Sequence, residues 1–214
     1  MITNEQKLRF DTVCREVLTS EHELRGIGTL GERTLHVILK KYFEPDRSLH
    51  AVKVGRFVAD IKKNDEITEI QTRSFGSMRK KLEVFTNDHR VNIVFPIAAS
   101  KHLSWVNPES GELTSWRKSP KRGQPWDILY EMYALRPMMP LRNVRFTLVF
   151  MNIEEYKLLD GWSHDKKRGA HRYERIPTEF VTLRLLISSP IIGYLCRTHS
   201  VKALPPQNSL KRQR

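Results

Sequence analysis

The sequence predicts an α/β fold in which helices flank a mixed sheet, within a chain of 214 residues. Three observations lead there. Segments with apolar residues at helical spacing alternate with short runs rich in β-branched residues. The stretch Val54–Gln71, VGRFVADIKKNDEITEIQ, reads as two strands joined at Asn64-Asp65, a pair suited to a two-residue hairpin loop. VNIVFPIA, from Val91 to Ala98, reads as a buried strand that follows a further amphipathic helix.

The elements follow in order. Residues 4–19 have an apolar stripe of Leu8, Val13, Val17 and Leu18 and predict a first helix. Three glycines in EHELRGIGTLG then mark a loop. A second helix begins near Glu32, with Leu35, Ile38, Leu39 and Tyr42 on its buried face. Glu32 lies on the inward side, and Thr29-Leu30-Gly31-Glu32 also matches a capping box, so helix capping and ligation stand as equal roles for it. Pro45 ends the following loop, and the sheet starts around Leu49. After the hairpin, Thr72 or Ser74 caps a third helix that buries Phe75, Met78, Leu82 and Phe85. Arg79, Lys80 and Lys81 lie off that stripe and read as a solvated helix face. HLSWV and ELTSW bracket the turn signal NPESG as a second hairpin. Pro125 opens a helix through Trp126, Ile128, Leu129, Met132 and Leu135, VRFTLVFMNI is a strand, and TEFVTLRLLI is a last helix.

The chemistry concentrates in the first hairpin. With Asn64-Asp65 as its loop, Lys63 pairs with Glu66, Lys62 with Ile67, Ile61 with Thr68, and Asp60 with Glu69. Asp60 and Glu69 then face each other on one side of the sheet, and Gln71 points to the same side because strand side chains alternate. Facing carboxylates repel by a few tenths up to about 1 kcal/mol. A hard divalent cation between them turns that repulsion into a site. The plainer reading is a solvated hairpin with acids on its wet side.

The charge points to a polyanionic partner. The net charge is +13, and residues 1–115 hold 18 Lys/Arg against 16 Asp/Glu while residues 116–214 hold 19 against 8. Such a basic half fits nucleic acid better than a membrane. No run of eighteen apolar residues occurs and MITNEQKLRF lacks the apolar core of a signal peptide, so the expected location is the cytoplasm. Two cysteines, Cys14 and Cys196, do not make a zinc cluster or a disulfide framework. Lys118, Lys121 and Arg122 precede a helix N-terminus that favours phosphate. Lys166, Lys167, Arg168, Arg172 and Arg175 form a second basic cluster. These eight residues are the expected nucleic-acid contacts.

The order of parts resembles the PD-(D/E)XK nuclease superfamily. A helix carrying Glu32 precedes a strand with Asp60, a strand with Glu69-Ile70-Gln71, a helix and a further strand. The resemblance spans about Gly28 to Ile97 and implies a restriction-endonuclease-like αβββαβ core. It assigns Asp60 to the lone acid, Glu69 to the acidic position of the signature, Gln71 to the lysine position and Glu32 to the extra helical acid. Ala59 stands where the motif proline would be, and Gln71 replaces the lysine. The implied activity is a Mg²⁺- or Mn²⁺-dependent endonuclease that hydrolyses phosphodiester bonds in DNA. Asp60, Glu69 and Glu32 would hold the metal. The alternative is a catalytically inactive nucleic-acid-binding protein on a nuclease-like fold. Because Gln71 is neutral, either slower chemistry or a compensating cation is expected, with Lys53, Lys62 and Lys63 as the candidates and Lys62 best placed by strand parity. Residues 1–153 are then expected to form the core with its N-terminal helix, and residues 154–214 a basic helical and loop extension; a homodimer is allowed.

Overall fold

The computed structural model describes residues 2–24, 34–72, 74–138, 143–159 and 171–187. Helix α1 (Asn4–Leu24) starts with a reciprocal cap: the Gln6 amide donates to the Thr3 hydroxyl, and the Thr3 amide donates to the Gln6 side chain. Helix α2 (Thr34–Phe43) buries Leu35, Ile38, Leu39 and Tyr42, the stripe its spacing predicts. Strands β1 (His50–Val54), β2 (Phe57–Lys63) and β3 (Glu66–Ile70) form an antiparallel meander. The β2–β3 register is Lys63↔Glu66, Lys62↔Ile67 and Ile61↔Thr68, as expected, and Asn64 takes a φ of 54° in the loop.

Ser74 caps a 3₁₀ turn over Phe75–Met78 that runs into α3 (Arg79–Asp88), with Phe75, Met78, Leu82 and Phe85 buried. This crossover returns the chain to β4 (Arg90–Val106), parallel to β3. The second hairpin is loosely paired: its return limb bridges β4 at Leu113, opposite Val106, and then registers in β5 (Arg117–Lys118), antiparallel to β4. Helix α4 (Asp127–Tyr133) leads to β6 (Val144–Leu158), which runs parallel to β4 along its whole length. Strand β7 (His171–Ile187) closes the sheet antiparallel to β6.

The result is a mixed seven-stranded sheet in the order β1-β2-β3-β4-β6-β7, with β5 attached to β4. Two apolar layers cover it. Phe75, Leu82 and Phe85 meet Ile128 and Met132 of α4 and Phe146 of β6 on one face. On the other, α1 and α2 pack through Phe10, Leu35, Ile38 and Leu39 against Val149, Met151 and Phe180. Among the described residues no helix is long and apolar enough to cross a membrane.

Three expectations are corrected. TEFVTLRLLI is a strand rather than a helix, because its apolar run satisfies either period and continuous pairing with β6 decides for the extended form. Phe180 is 1% exposed and stacks on Phe10 at 5.0 Å, so β7 belongs to the core rather than to a helical extension. The division drawn after Ile153 falls inside β6. Helix α4 is also short, and the amide of Gln124 donates to Asp127, whose carboxylate lies in the first turn. An acid therefore occupies the helix start that was expected to receive phosphate.

Candidate functional site

Strands β2 and β3 part where the next register pair would be Asp60 and Glu69. Side chains replace the ladder there. The amide of Asp60 donates to Glu69 Oε1 at 3.1 Å, and the amide of Ile70 donates to Asp60 Oδ2 at 2.8 Å. Beyond this point β3 follows β4 alone, the Gln71 amide donating to the Val94 carbonyl at 2.9 Å. The strand also twists as the ladder opens: Ile61 packs with α2, whereas Ala59, two residues away, packs with α3.

Each face contributes one further group. From α2, His36 Nε2 lies 3.2 Å from Asp60 Oδ2. From α3, Lys81 Nζ donates to Glu69 Oε2 at 2.7 Å. The Asp60 side chain is 21% exposed and that of Glu69 is 5% exposed, so Asp60 is the outer and Glu69 the inner acid of the recess left where the two strands part. Asp60 Oδ1 has no hydrogen bond among the described residues.

Burial first, and then the neighbouring Asp60 carboxylate, push the Glu69 carboxyl up to about 7 against the pull of Lys81. Burial also works against ionised Asp60, but His36, the Ile70 amide and Lys81 together outweigh it and hold its pKa below the ordinary aspartate value. Two acids held at different protonation levels in one recess are a recurrent arrangement at reactive sites.

The expected constellation is thus met in part. Asp60 and Glu69 converge. The side chain of Gln71 turns away, its Nε2 donating to the Ser74 carbonyl at 3.0 Å and the Ser77 hydroxyl at 3.3 Å, so the amide ties β3 to the 3₁₀ turn. Strand parity fails for Gln71 because it lies past the end of β3, where alternation no longer fixes direction. Glu32 lies outside the described residues. The cation beside the acids is Lys81, not Lys62: Lys63 ion-pairs with Glu44 at 2.8 Å, and Lys53 is exposed on β1. Reading Lys81 as part of a solvated face is therefore corrected, since a side chain at the edge of the α3 stripe reaches the sheet. His36 was missed as well. It lies four residues after Glu32, one helical turn on, and the spacing that singled out Glu32 also points to it.

Of the basic residues, Lys118, Lys121 and Arg122 are exposed beside β5, and Lys166, Lys167 and Arg168 lie outside the described residues. Arg172 Nε is 3.4 Å from Glu155 Oε2, and Arg175 donates to the Thr72 carbonyl at 3.4 Å.

Among the described residues no three His, Cys, Asp or Glu side chains are grouped to hold a metal ion. The two carboxylates nonetheless suit a hard cation. Mg²⁺ keeps most of its waters and takes one or two protein carboxylates, and the Asp60 side chain is partly exposed, with no hydrogen bond to Oδ1 among the described residues. Cation binding would also offset the burial and the repulsion that together raise the Glu69 pKa.

Residues 33–186 match the model of a family described as a domain of unknown function (DUF8091). The chain belongs to this family. The matched DUF8091 region runs from the start of α2 to the end of β7, and so takes in both faces of the recess and the whole sheet. An uncharacterized protein of Treponema pallidum (strain Nichols) is 29% identical over 150 residues, covering 70% of this DUF8091 chain and 57% of that protein. The chain therefore spans less than two thirds of that relative's length. No solved structure matches.

Proposed function

We propose that this protein is a metal-dependent phosphodiesterase acting on nucleic acid, DNA in preference, with a restriction-endonuclease-like αβββαβ core formed by α2, β1, β2, β3, α3 and β4. The observation that carries this reading is the meeting of Asp60, Glu69 and Lys81 where the β2–β3 ladder opens. Asp60 Oδ1 and Glu69 are the metal-holding oxygens. Mg²⁺ or Mn²⁺ held there supplies a Lewis acid for the phosphoryl oxygens and a bound water of lowered pKa. His36 fixes the Asp60 carboxylate through Oδ2 and so leaves Oδ1 for the metal. Lys81 brings the positive charge that Gln71 does not, and its ammonium would stabilise negative charge developing on the attacking oxygen or the phosphoryl group. The buried floor at Glu69 limits water and strengthens these interactions.

A second reading, nucleic-acid binding without hydrolysis, draws on the same ion pair, since Lys81 already compensates Glu69 and reduces its need for a metal. A plasmid-nicking assay with Mg²⁺ or Mn²⁺ separates the two. Wild type is expected to nick, and Asp60→Ala to be inactive while still binding DNA. Lys81→Met should lose about 100-fold or more in rate. Gln71→Lys should change the rate little, because position 71 faces Ser74 and Ser77. Binding without nicking under either metal would leave the second reading.

A further inference from the structure

The distal halves of β4, β6 and β7 carry a second arrangement, remote in sequence from the recess. Burial falls along β4, from Val91–Val94, all buried, to mostly half-exposed residues beyond Ala98. Glu155 of β6 is only 3% exposed in this opened region. Three cations surround its carboxylate: Lys101 Nζ at 3.3 Å, Arg172 Nε at 3.4 Å and Lys157 Nζ at 3.9 Å. The register adds two more to the same face. Arg175 is the β7 partner of Glu155, and Arg117 pairs with Leu103, itself the β4 partner of Glu155. Arg117 is held over the Trp105 ring at 5.1 Å.

Among the described residues, five cations share one sheet face on which Glu155 is the buried acid. A buried carboxylate needs one or two charged partners, so Lys101, Lys157 and Arg172 by themselves already exceed what Glu155 neutralises. The crowding is felt at Lys157, whose pKa is lowered first by burial and then by Lys101, Arg172 and Arg117, against the pull of Glu155. Acids collect on the opposite face instead: the Tyr156 hydroxyl donates to Glu154 at 2.9 Å, and Glu174 is the partner of Tyr156. The array also reaches the recess. Arg175 donates to the carbonyl of Thr72, the residue after Gln71, so a side chain of β7 reaches the end of β3.

We propose that Lys101, Arg117, Lys157, Arg172 and Arg175, anchored by Glu155, form a surface that holds the phosphates of a nucleic-acid strand and leads it toward Asp60 and Glu69. This assigns the substrate-holding part of the hydrolase proposed above, and its direction toward the recess rests on that reading; the binding does not. Glu155 acts as a fixed counter-charge that orders side chains otherwise spread by repulsion, so their ordering is complete before a phosphate arrives.

The test measures binding in EDTA, where hydrolysis does not intervene, using fluorescence anisotropy of a labelled 20-mer DNA as single strand and as duplex over a salt series. Replacing Lys101, Lys157, Arg172 and Glu155 together by Gln removes three cations without leaving a buried acid unpartnered. Affinity should fall about 10- to 100-fold at low salt, and the log–log salt slope should shrink by about 2 to 3. Arg117→Gln with Arg175→Gln, which leaves the Glu155 contacts intact, should lose about half of that slope change. Lys53→Gln with Arg56→Gln, at the opposite edge of the sheet, should leave binding as in wild type. Unchanged affinity and slope in the array variants, or an equal loss in the Lys53 and Arg56 variant, would overturn the proposal. Loss of binding in the array variants alongside a wild type that never nicks would uphold this surface and remove the hydrolase.

Discussion

Glu69 shows how much one side chain reports about its surroundings. Burial, and then the Asp60 carboxylate beside it, push its pKa up to about 7 from an ordinary 4.5. The sign of the consequence follows from linkage. Between about 4.5 and 7 the folded state holds a proton that the unfolded state has lost, so stability falls as pH rises through that window. Asp60 acts in the opposite sense, since its lowered pKa adds stability above its unfolded value and loses it only at acid pH. Thermal melts of wild type should therefore decline from about pH 5 to pH 7.5, by an amount on the order of 2 kcal/mol. Glu69→Gln should flatten that decline, and Mn²⁺ should raise the wild-type melting temperature more at pH 7.5 than at pH 5. A wild-type profile that rises through this window would contradict the placement of the two acids.

At the level of elements, β7 carries weight that its composition hides. Phe180 stacks on Phe10 of α1 at 5.0 Å and meets Tyr42 of α2 edge-on at 5.1 Å, so one side chain fastens two helices to the last strand. Phe180→Ala should destabilise the fold by about 3 to 5 kcal/mol, measured by chemical denaturation. A helical appendage of the kind the residue pattern suggested would lose far less. A Cβ at Gly123 would come within 2.3 Å of Ile97 Cγ2 and 2.9 Å of the Ala98 carbonyl, so only glycine fits there. The Gly123 amide already donates to that carbonyl at 2.8 Å, which fixes the exposed Lys121–Arg122 segment against β4.

For the molecule as a whole, the sheet is the common frame of both proposed surfaces. The recess lies where β2 leaves β3, and the cationic array lies where β4, β6 and β7 outrun their covering helices. Arg175 joins the two regions. Deletion of residues 154–214 would cut β6 and remove β7, exposing Val149, Met151 and Ile153, all buried in the intact chain. Such a truncated chain should not give a cooperative melt, whereas a separable extension would leave the remaining domain intact. Net charge, by contrast, contributes to partner choice rather than to fold.

Local rules made the first half of the chain legible. The apolar spacing of α2 and α3, the Asn64 loop and the β2–β3 register required only neighbouring residues, and they brought Asp60 and Glu69 opposite each other before any coordinates. Distant or irregular features were not legible in the same way. Lys81 reaches Glu69 because the α3 crossover lays one helix edge over the sheet, a contact across twelve positions that helical spacing does not report. Gln71 turned aside because strand alternation ends where the strand does. TEFVTLRLLI fits helix and strand periods alike, and only its pairing with β6 settled the matter. The grouping of Lys101, Arg117, Lys157, Arg172 and Arg175 depends on four strands lying side by side. The sequence by itself therefore determined the hairpin, its two acids and the basic excess; the tertiary structure decided which cation serves those acids and which cations stand together, since those depend on packing between elements far apart in the chain.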